Sequence, residues 1–469
     1  MDIKQIQKLI AADSARCAKI ENQRAYMEGR NVAILGRAAH EQPDNRISIP
    51  IVRKAVTIVS GYMAGEDSIA YSTTDKVKRG IKGVVAKVKA ALTGLGDYVS
   101  DVLKPIFDSN DEGLTTHEEF GTACAHGLAY EYHYTKDGEA RFVEVPPEQC
   151  IAIWDDQLPP MLKGMIRYYG TTDGETETKH ATVYDAAEIA YYEGKGYDTL
   201  IETKREAHAY AEVPWAIGKI NRRGENLFDH VLSIIDFRDR IVSEDYANEA
   251  QRFSNSYLLL RDRLSTELDE LGLNEADKLR VTRTFEGLGE DVTKAVAFLV
   301  KNIPIDFIKN ADELFERLSY DMMMLFDNKD MATTGEISGI ALAYKLLPFE
   351  YASATYEAYF SRFLQWRIRL IQNVTGNLKA KPQDRPQVSI RFTRNLPFDM
   401  QSAVEMYSKV AGASLPIRIA LKLFPPSLIP DIEEVAQEIE RDSAVPNMDT
   451  PVKPTEKTDG KDKPTDEDA

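Results

Sequence analysis

The stretch NKDMATTGEISGIALAYK runs from Asn328 to Lys345, and its reading decides how the rest of the chain is organised. It is a polar loop carrying Gly335, followed by Gly339, between a Met-rich apolar segment and a long aromatic-rich one. Both neighbours read as helix. Glycines and threonines raise the question of a phosphate cradle. A P-loop needs Gly-x-x-x-x-Gly-Lys-Ser/Thr after a strand and before a helix. Here the two glycines are four apart, no Lys-Ser/Thr pair follows, and a helix precedes. The loop reads instead as a connector, with Ser338 as N-cap of the next helix.

Outward from that loop, 469 residues leave room for roughly two to four domains. Hydrophobic content of 43% and charged content of 28% are those of a soluble globular protein. No run approaches the roughly eighteen apolar residues of a membrane span. The N-terminus MDIKQIQKLIAADSARCAKIENQ is amphipathic and charged, unlike a signal peptide, so cytosol-like surroundings are expected. Cys17, Cys124 and Cys150 are too scattered for a disulfide framework or a thiolate zinc site. HEEFGTACAH, the nearest approach to a metal motif, lacks the second His at i+4. The net charge of −17 excludes a broad phosphate-gripping surface, because such binding runs on cationic side chains and counterion release. Either nucleic acid is irrelevant here, or the chain touches DNA without holding it.

Periodicity predicts a helix over 1–30, with Ile3, Ile6, Ile10, Cys17, Ile20 and Tyr26 at helical spacing. After the turn signal Pro43-Asp44-Asn45, a helix from Ile51 to Tyr62 should close at Gly65, before a short strand SIAYS. Helices follow in VSDVLKPIFDSN and HEEFGTACAHGLAY. Alternating Tyr130, Tyr132 and Tyr134, a Lys-Asp-Gly turn and ARFVEV predict a hairpin that opens an antiparallel sheet over 130–215. Residues 227–251 turn helical again, with an expected Asp236/Arg240 i,i+4 pair. Strands SYLLLRD and VAFLVKNIP bracket a polar helical stretch around LSTELDELGLNEADKLRVTRTF. A helix over 310–327 leads into the loop, and one from Ser338 to Val374 should kink at Pro348. PQVSIRFTRNLP reads as a strand, DMQSAVEMYSKVAG and DIEEVAQEIERDS as helices, and the segment beyond Val445 as a disordered acidic tail.

Catalytic logic finds little to hold. Asp229, Asp236, Asp239, Glu244, Asp245 and Glu249 do not share one helical face and are interleaved with arginines, which suits a solvated surface better than a metal or acid–base site. There is no Gly-x-Ser-x-Gly elbow and no supported Cys/His spacing. Met322, Met323 and Met324 read as core filler. Arg362, Arg367 and Arg369 around WRIRL read as a basic helical face that is solvated or pairs with nearby acids, or else contacts a neighbouring subunit or nucleic acid.

The order of parts is more specific than any of these motifs. GRNVAILGR, PDNRISIPIVRKAVTIVSGYMAGEDSIAYS, FVEVPPEQCIAIWDD with MIRYYG, and above all GEISGIALAYKLLPFE resemble the SPP1-like portal family of tailed siphophages over residues 20–440. That resemblance implies an α+β portal fold assembled as a ring with a central channel. Residues 1–226 would be the wing, 227–255 the first stem helix, 256–305 the clip and 306–327 the second stem helix. Residues 328–337 would be the tunnel loop, 338–374 a long kinked helix, 375–445 the crown and 446–469 the tail. It further implies a non-catalytic virion protein without cofactor or metal, present in host cytoplasm during assembly and then at the portal vertex of the capsid. Its partners would be copies of itself (a dodecamer in the virion), the double-stranded DNA passing through, the terminase large subunit, a head–tail adaptor, and major capsid and scaffolding proteins, with no membrane. Asn328, Lys329, Asp330, Thr333, Thr334, Gly335 and Glu336 would form the DNA-facing tunnel loop. Asp236, Asp239, Glu244, Asp312, Glu316 and Asp321 would line the stem.

Charge counting agrees with a conduit. Residues 229–252 carry six acids against three arginines, and 306–327 six acids against Lys309 and Arg317, giving −3 and −4 per subunit. Repeated around a ring, such a wall repels a polyanion and lets it slide. Two other readings stay open: a head–tail adaptor, which is usually shorter, and a nucleic-acid-processing or nucleotide-hydrolysing enzyme, which would need a Walker motif or acidic metal cluster.

Overall fold

A computed structural model describes residues 1–38, 44–65, 68–73, 98–174, 176–254, 257–260, 284–286, 296–299, 305–326, 339–375, 385–394, 421 and 435–436. Residues up to Asn395 form one compact unit and those from Leu396 a second. The first unit carries the helices and strands from Ile3 to Phe392.

The expected N-terminal helix is broken at Asp13 into α1 (Ile3–Ala12) and α2 (Ser14–Met27), followed by one turn, α3 (Val32–Leu35), capped by the Asn31 side chain. Helix α4 (Ile51–Ala64) does end at Gly65, and β1 (Ile69–Thr73) follows. A π-helical turn (Val99–Leu103) runs into α5 (Lys104–Ser109), and α6 (Glu112–His126) stops at Gly127. Gly127 has φ +86°, and a Cβ there would fall 2.1 Å from the Gly224 carbonyl oxygen, so both conformation and space demand glycine.

The sheet expected over 130–215 is two sheets. Strands β2 (Leu128–Lys136), β3 (Glu139–Val145) and β9 (Trp215–Lys219) form a three-stranded antiparallel sheet with β2 central. Strands β4 (Cys150–Trp154), β5 (Leu162–Asp173), β6 (Thr176–Tyr184), β7 (Glu188–Gly194) and β8 (Ile201–Ala207) form a five-stranded meander. The hairpin turn at Asp137 and Gly138 lies where expected, both residues at positive φ. Tyr130, Tyr184, Met165 and Trp215 fill the space between the sheets, while Ile6 and Ile10 of α1 cover the meander's other side with Ile166, Val183 and Tyr192.

Beyond the sheets come α7 (Leu232–Arg240), a π-helical segment (Ile241–Asn248) and α8 (Glu249–Ser254), which together make one long rod. The two expected strands are present as β10 (Tyr257–Leu260) and β12 (Val296–Leu299), and they pair antiparallel. Between them β11 (Thr284–Glu286) pairs parallel with β10, so Thr284 and Phe285 are strand where the sequence suggests a helix end. Helix α9 (Ile305–Met322) and helix α10 (Gly339–Thr375) follow; α10 is assigned as one helix through Pro348. Strand β13 (Val388–Phe392) pairs antiparallel with β1 across more than three hundred residues, Ile69 opposite Phe392, so a strand from the range expected as crown joins one from the range expected as wing. Of the three consecutive methionines only Met323 is core; Met322 and Met324 are exposed.

Helix α10 organises the core. Phe349, Ser353, Phe360, Phe363, Leu364, Ile368, Leu370 and Ile371 are buried on one stripe, against Phe120 of α6 and against Gly218 of β9. Arg367 lies on that same stripe and is wholly buried, so it shares no solvated face with Arg362 and Arg369, while its expected pairing with nearby acids holds. Its guanidinium donates to Glu112 at 2.8 Å, Thr116 at 2.6 Å, Glu131 at 2.7 Å and Glu119. The Phe142 ring stacks on it with a 4.6 Å approach. Arg362 and Arg369 point elsewhere, over Tyr359 and to Glu212 respectively. Burial and the neighbouring Glu131 charge push the Glu119 carboxyl well above its usual range. Burial acts on Glu131 too, but Arg367 and His133 outweigh it and hold that carboxyl at about 2.

Replacing Arg367 with Gln leaves these carboxylates buried without their counter-charge, which costs about 3–5 kcal/mol. Urea unfolding of the variant should show a loss of that size. A loss under about 1 kcal/mol, the size of an exposed ion pair, would show that the cluster does not hold the core.

Candidate functional site

The rod 229–254 and α9 lie side by side. Arg238, nearly buried, ties them: its Nε donates to Asp312 at 2.7 Å and its guanidinium pairs with Glu316 at 3.3 Å. Phe237 meets Phe315 edge-on, ring centres 5.0 Å apart. Helical spacing puts Asp312 and Glu316 one turn apart on the face turned to Arg238.

The rod's other partner is the N-terminal segment 19–49. Lys19 and Gln23 reach Asp229, and the Tyr26 hydroxyl donates to Asp236 at 2.5 Å. Asn31 Nδ2 donates to Asp239 at 2.9 Å, and the Ile49 amide donates to its other oxygen at 3.3 Å. The Ile47 amide donates to Ser243, Arg37 pairs with Glu244, and the Asn45 amide donates to Asn248 at 2.7 Å. An extended stretch of backbone, lacking its own ladder, is satisfied by polar side chains along one helix. Burial lifts the Asp239 carboxyl to about 6, against the downward pull of its Asn31 and Ile49 hydrogen bonds.

Among the residues expected to line the stem, Asp239 is buried, and Asp236 and Glu244 are held by Tyr26 and Arg37, so all three face the N-terminal segment. The contacts give Asp236 to Tyr26 where the sequence suggests Arg240. Asp312 and Glu316 are engaged by Arg238; Asp321 is exposed. Sequence reasoning passed over Asp306 and Glu313 as site residues, yet both are exposed. Asp306 and Glu313 lie seven residues apart on one line of α9, the signal that could have found them. Asn328, Lys329, Asp330, Thr333, Thr334, Gly335 and Glu336 lie outside the described residues, as do most of 375–445 and all of 446–469.

Among the described residues no group of three or more His, Cys, Asp or Glu could hold a metal ion, and no helix is long and apolar enough to cross a membrane. His117 and His126 of HEEFGTACAH contact the Ala64 carbonyl and Gln23 instead.

The family profile for phage portal protein, SPP1 Gp6-like, matches residues 6–444. The portal protein of Clostridium phage phiCD119 is 21% identical over 460 residues, covering 92% of this chain and 94% of that protein. The chain therefore belongs to the SPP1 Gp6-like phage portal family.

Asp239 supplies a pH test. Its folded value of about 6 lies above the usual 3.8, so its stabilisation is complete below about 3.8 and is lost as pH rises through about 6. Unfolding free energies measured from pH 4 to 7 should fall more steeply in the native protein than in Asp239→Asn. Parallel curves would contradict the assignment.

Proposed function

We propose that this member of the phage portal family forms a ring whose central channel passes double-stranded DNA into and out of the capsid, without catalysis of its own. The observation that carries the reading is the charge of the paired helices. Residues 229–254 and 305–322 hold eleven carboxylates against five cations, a net of −6 per subunit. Arg238 spends its charge inside the pair; the exposed acids are Asp245 on the rod and Asp306, Glu313 and Asp321 on α9, where Lys309, 3.9 Å from Glu313, and Arg317 offset part of the charge.

A ring of such sectors repels phosphates, which keeps DNA from sticking to the wall. Asp306, Glu313 and Asp321 take over the wall role from Asp236, Asp239 and Glu244. The loop 328–337 would narrow the channel with small uncharged contacts at Thr333, Thr334 and Gly335, and residues 256–305 would meet the terminase and then the head–tail adaptor. Capsid and scaffolding proteins would surround the ring at its vertex.

Negative-stain images of the purified chain should show rings with a central hole; uniform monomers would remove the reading's support. In rings carrying Glu313→Lys with Asp321→Lys, packaged DNA per capsid should drop several-fold with assembly intact, because the wall then binds phosphate. Gly335→Pro, which stiffens the loop, should likewise impair packaging and spare assembly. Normal DNA filling in both variants would contradict the channel roles.

A further inference from the structure

Two apolar stripes lie exposed, with no covering partner among the described residues. On α9, Phe307 is 68% exposed and Leu314 44%, seven residues apart and so on one face. Phe237 of the neighbouring helix, half-exposed while packed on Phe315, widens that patch. On α10, Tyr344 is 72% exposed, Leu347 40% and Tyr351 68%, at i, i+3 and i+7. Their opposite side, with Leu346, Phe349 and Ala352, is the one turned to the core. Each stripe runs seven residues, about 10 Å along its helix axis.

We propose that these stripes are the two halves of the subunit interface: Phe307 and Leu314 of one copy pack on Tyr344, Leu347 and Tyr351 of the next. The inference rests on the ring reading and names its contact. A closed ring of identical chains is joined head-to-tail, so each subunit must carry two different, complementary patches. The stripes match in length and chemistry, one aliphatic and phenyl, the other mostly phenolic. DNA is the wrong occupant, since phosphates and sugar offer phenyl and isobutyl groups nothing to bury. The arrangement on α9 is consistent with the channel as well. Asp306 and Glu313 share one line of α9 and Phe307 and Leu314 the next, about 100° round the helix, so acids can face the lumen while the apolar edge faces a neighbour.

The test is cross-linking in a Cys17→Ser background, leaving only the buried Cys124 and Cys150. The chain is given Phe307→Cys with Tyr344→Cys, or, for the opposite helix direction, Phe307→Cys with Tyr351→Cys. A short bismaleimide should convert one of the two double variants into a ladder of covalent multimers beyond the dimer, and neither single variant. Leu314→Asp should weaken subunit association about tenfold or more, read by mass photometry, with an unchanged circular dichroism spectrum. Rings in the native protein with no ladder from either pair overturn this interface and leave the ring reading standing. A native protein that never forms rings overturns both. Ladders stopping at the dimer, or dimers from a single variant, indicate a two-fold contact and also overturn it.

Discussion

One guanidinium buried among three carboxyls is the constraint on which the rest of this protein depends. Arg367 reaches Glu112, Thr116 and Glu119 on α6 and Glu131 on the central strand of the three-stranded sheet. It therefore fixes α10, α6 and β2 relative to one another in a single contact set. A cation in that position cannot slip by a turn, because each alternative register leaves charges buried without partners. An all-apolar stripe tolerates such slips far more readily. Burial and the neighbouring Glu131 charge raise the Glu119 carboxyl well above its usual range, against the pull of Arg367.

From that fixed core the chain builds outward in layers: helix α1, the five-stranded meander, the three-stranded sheet, then the helices around α10. Both faces of β2 are used. Tyr130 and Tyr132 look towards Trp215 and Tyr184, while Glu131 and His133 look towards Arg367 and bond each other at 2.7 Å. The rod 229–254 is then held from two sides, by Arg238 to α9 and by the polar contacts of residues 19–49. Its π-helical segment coincides with Ser243, Glu244 and Asn248, the positions that receive the N-terminal segment. The altered helical pitch there re-aims those side chains relative to a regular α-helix.

Charge on the two long helices thus divides into two kinds of work. Carboxylates facing Arg238, Asn31, Tyr26 and Arg37 position the helices, and those of the α9 outer sector remain as surface charge. A sum over the sequence counts both kinds alike and so overstates the free negative surface, although the sign is right. The same division applies to the arginines of WRIRL. Arg362 and Arg369 are seven apart and share a face, whereas Arg367 falls on the other side, with Phe360, Phe363 and Leu370. That stripe was readable, and it is the one signal that marked Arg367 as a core residue.

The sequence by itself determined the order of helices and strands, the hairpin at Asp137-Gly138, the end of α4 at Gly65, and the portal family through GEISGIALAYKLLPFE and the parts around it. These are set by local periodicity, turn chemistry and a linear order of segments, all of which a single chain displays. Only the tertiary structure decided that β1 pairs with β13, that the sheet over 130–215 divides in two, and that Asp236, Asp239 and Glu244 turn inward to the N-terminal segment. Strand partners hundreds of residues apart leave no local trace, and an ionised side chain reads the same in sequence whether water or a buried amide solvates it. Its partner, supplied by another part of the chain, makes the difference.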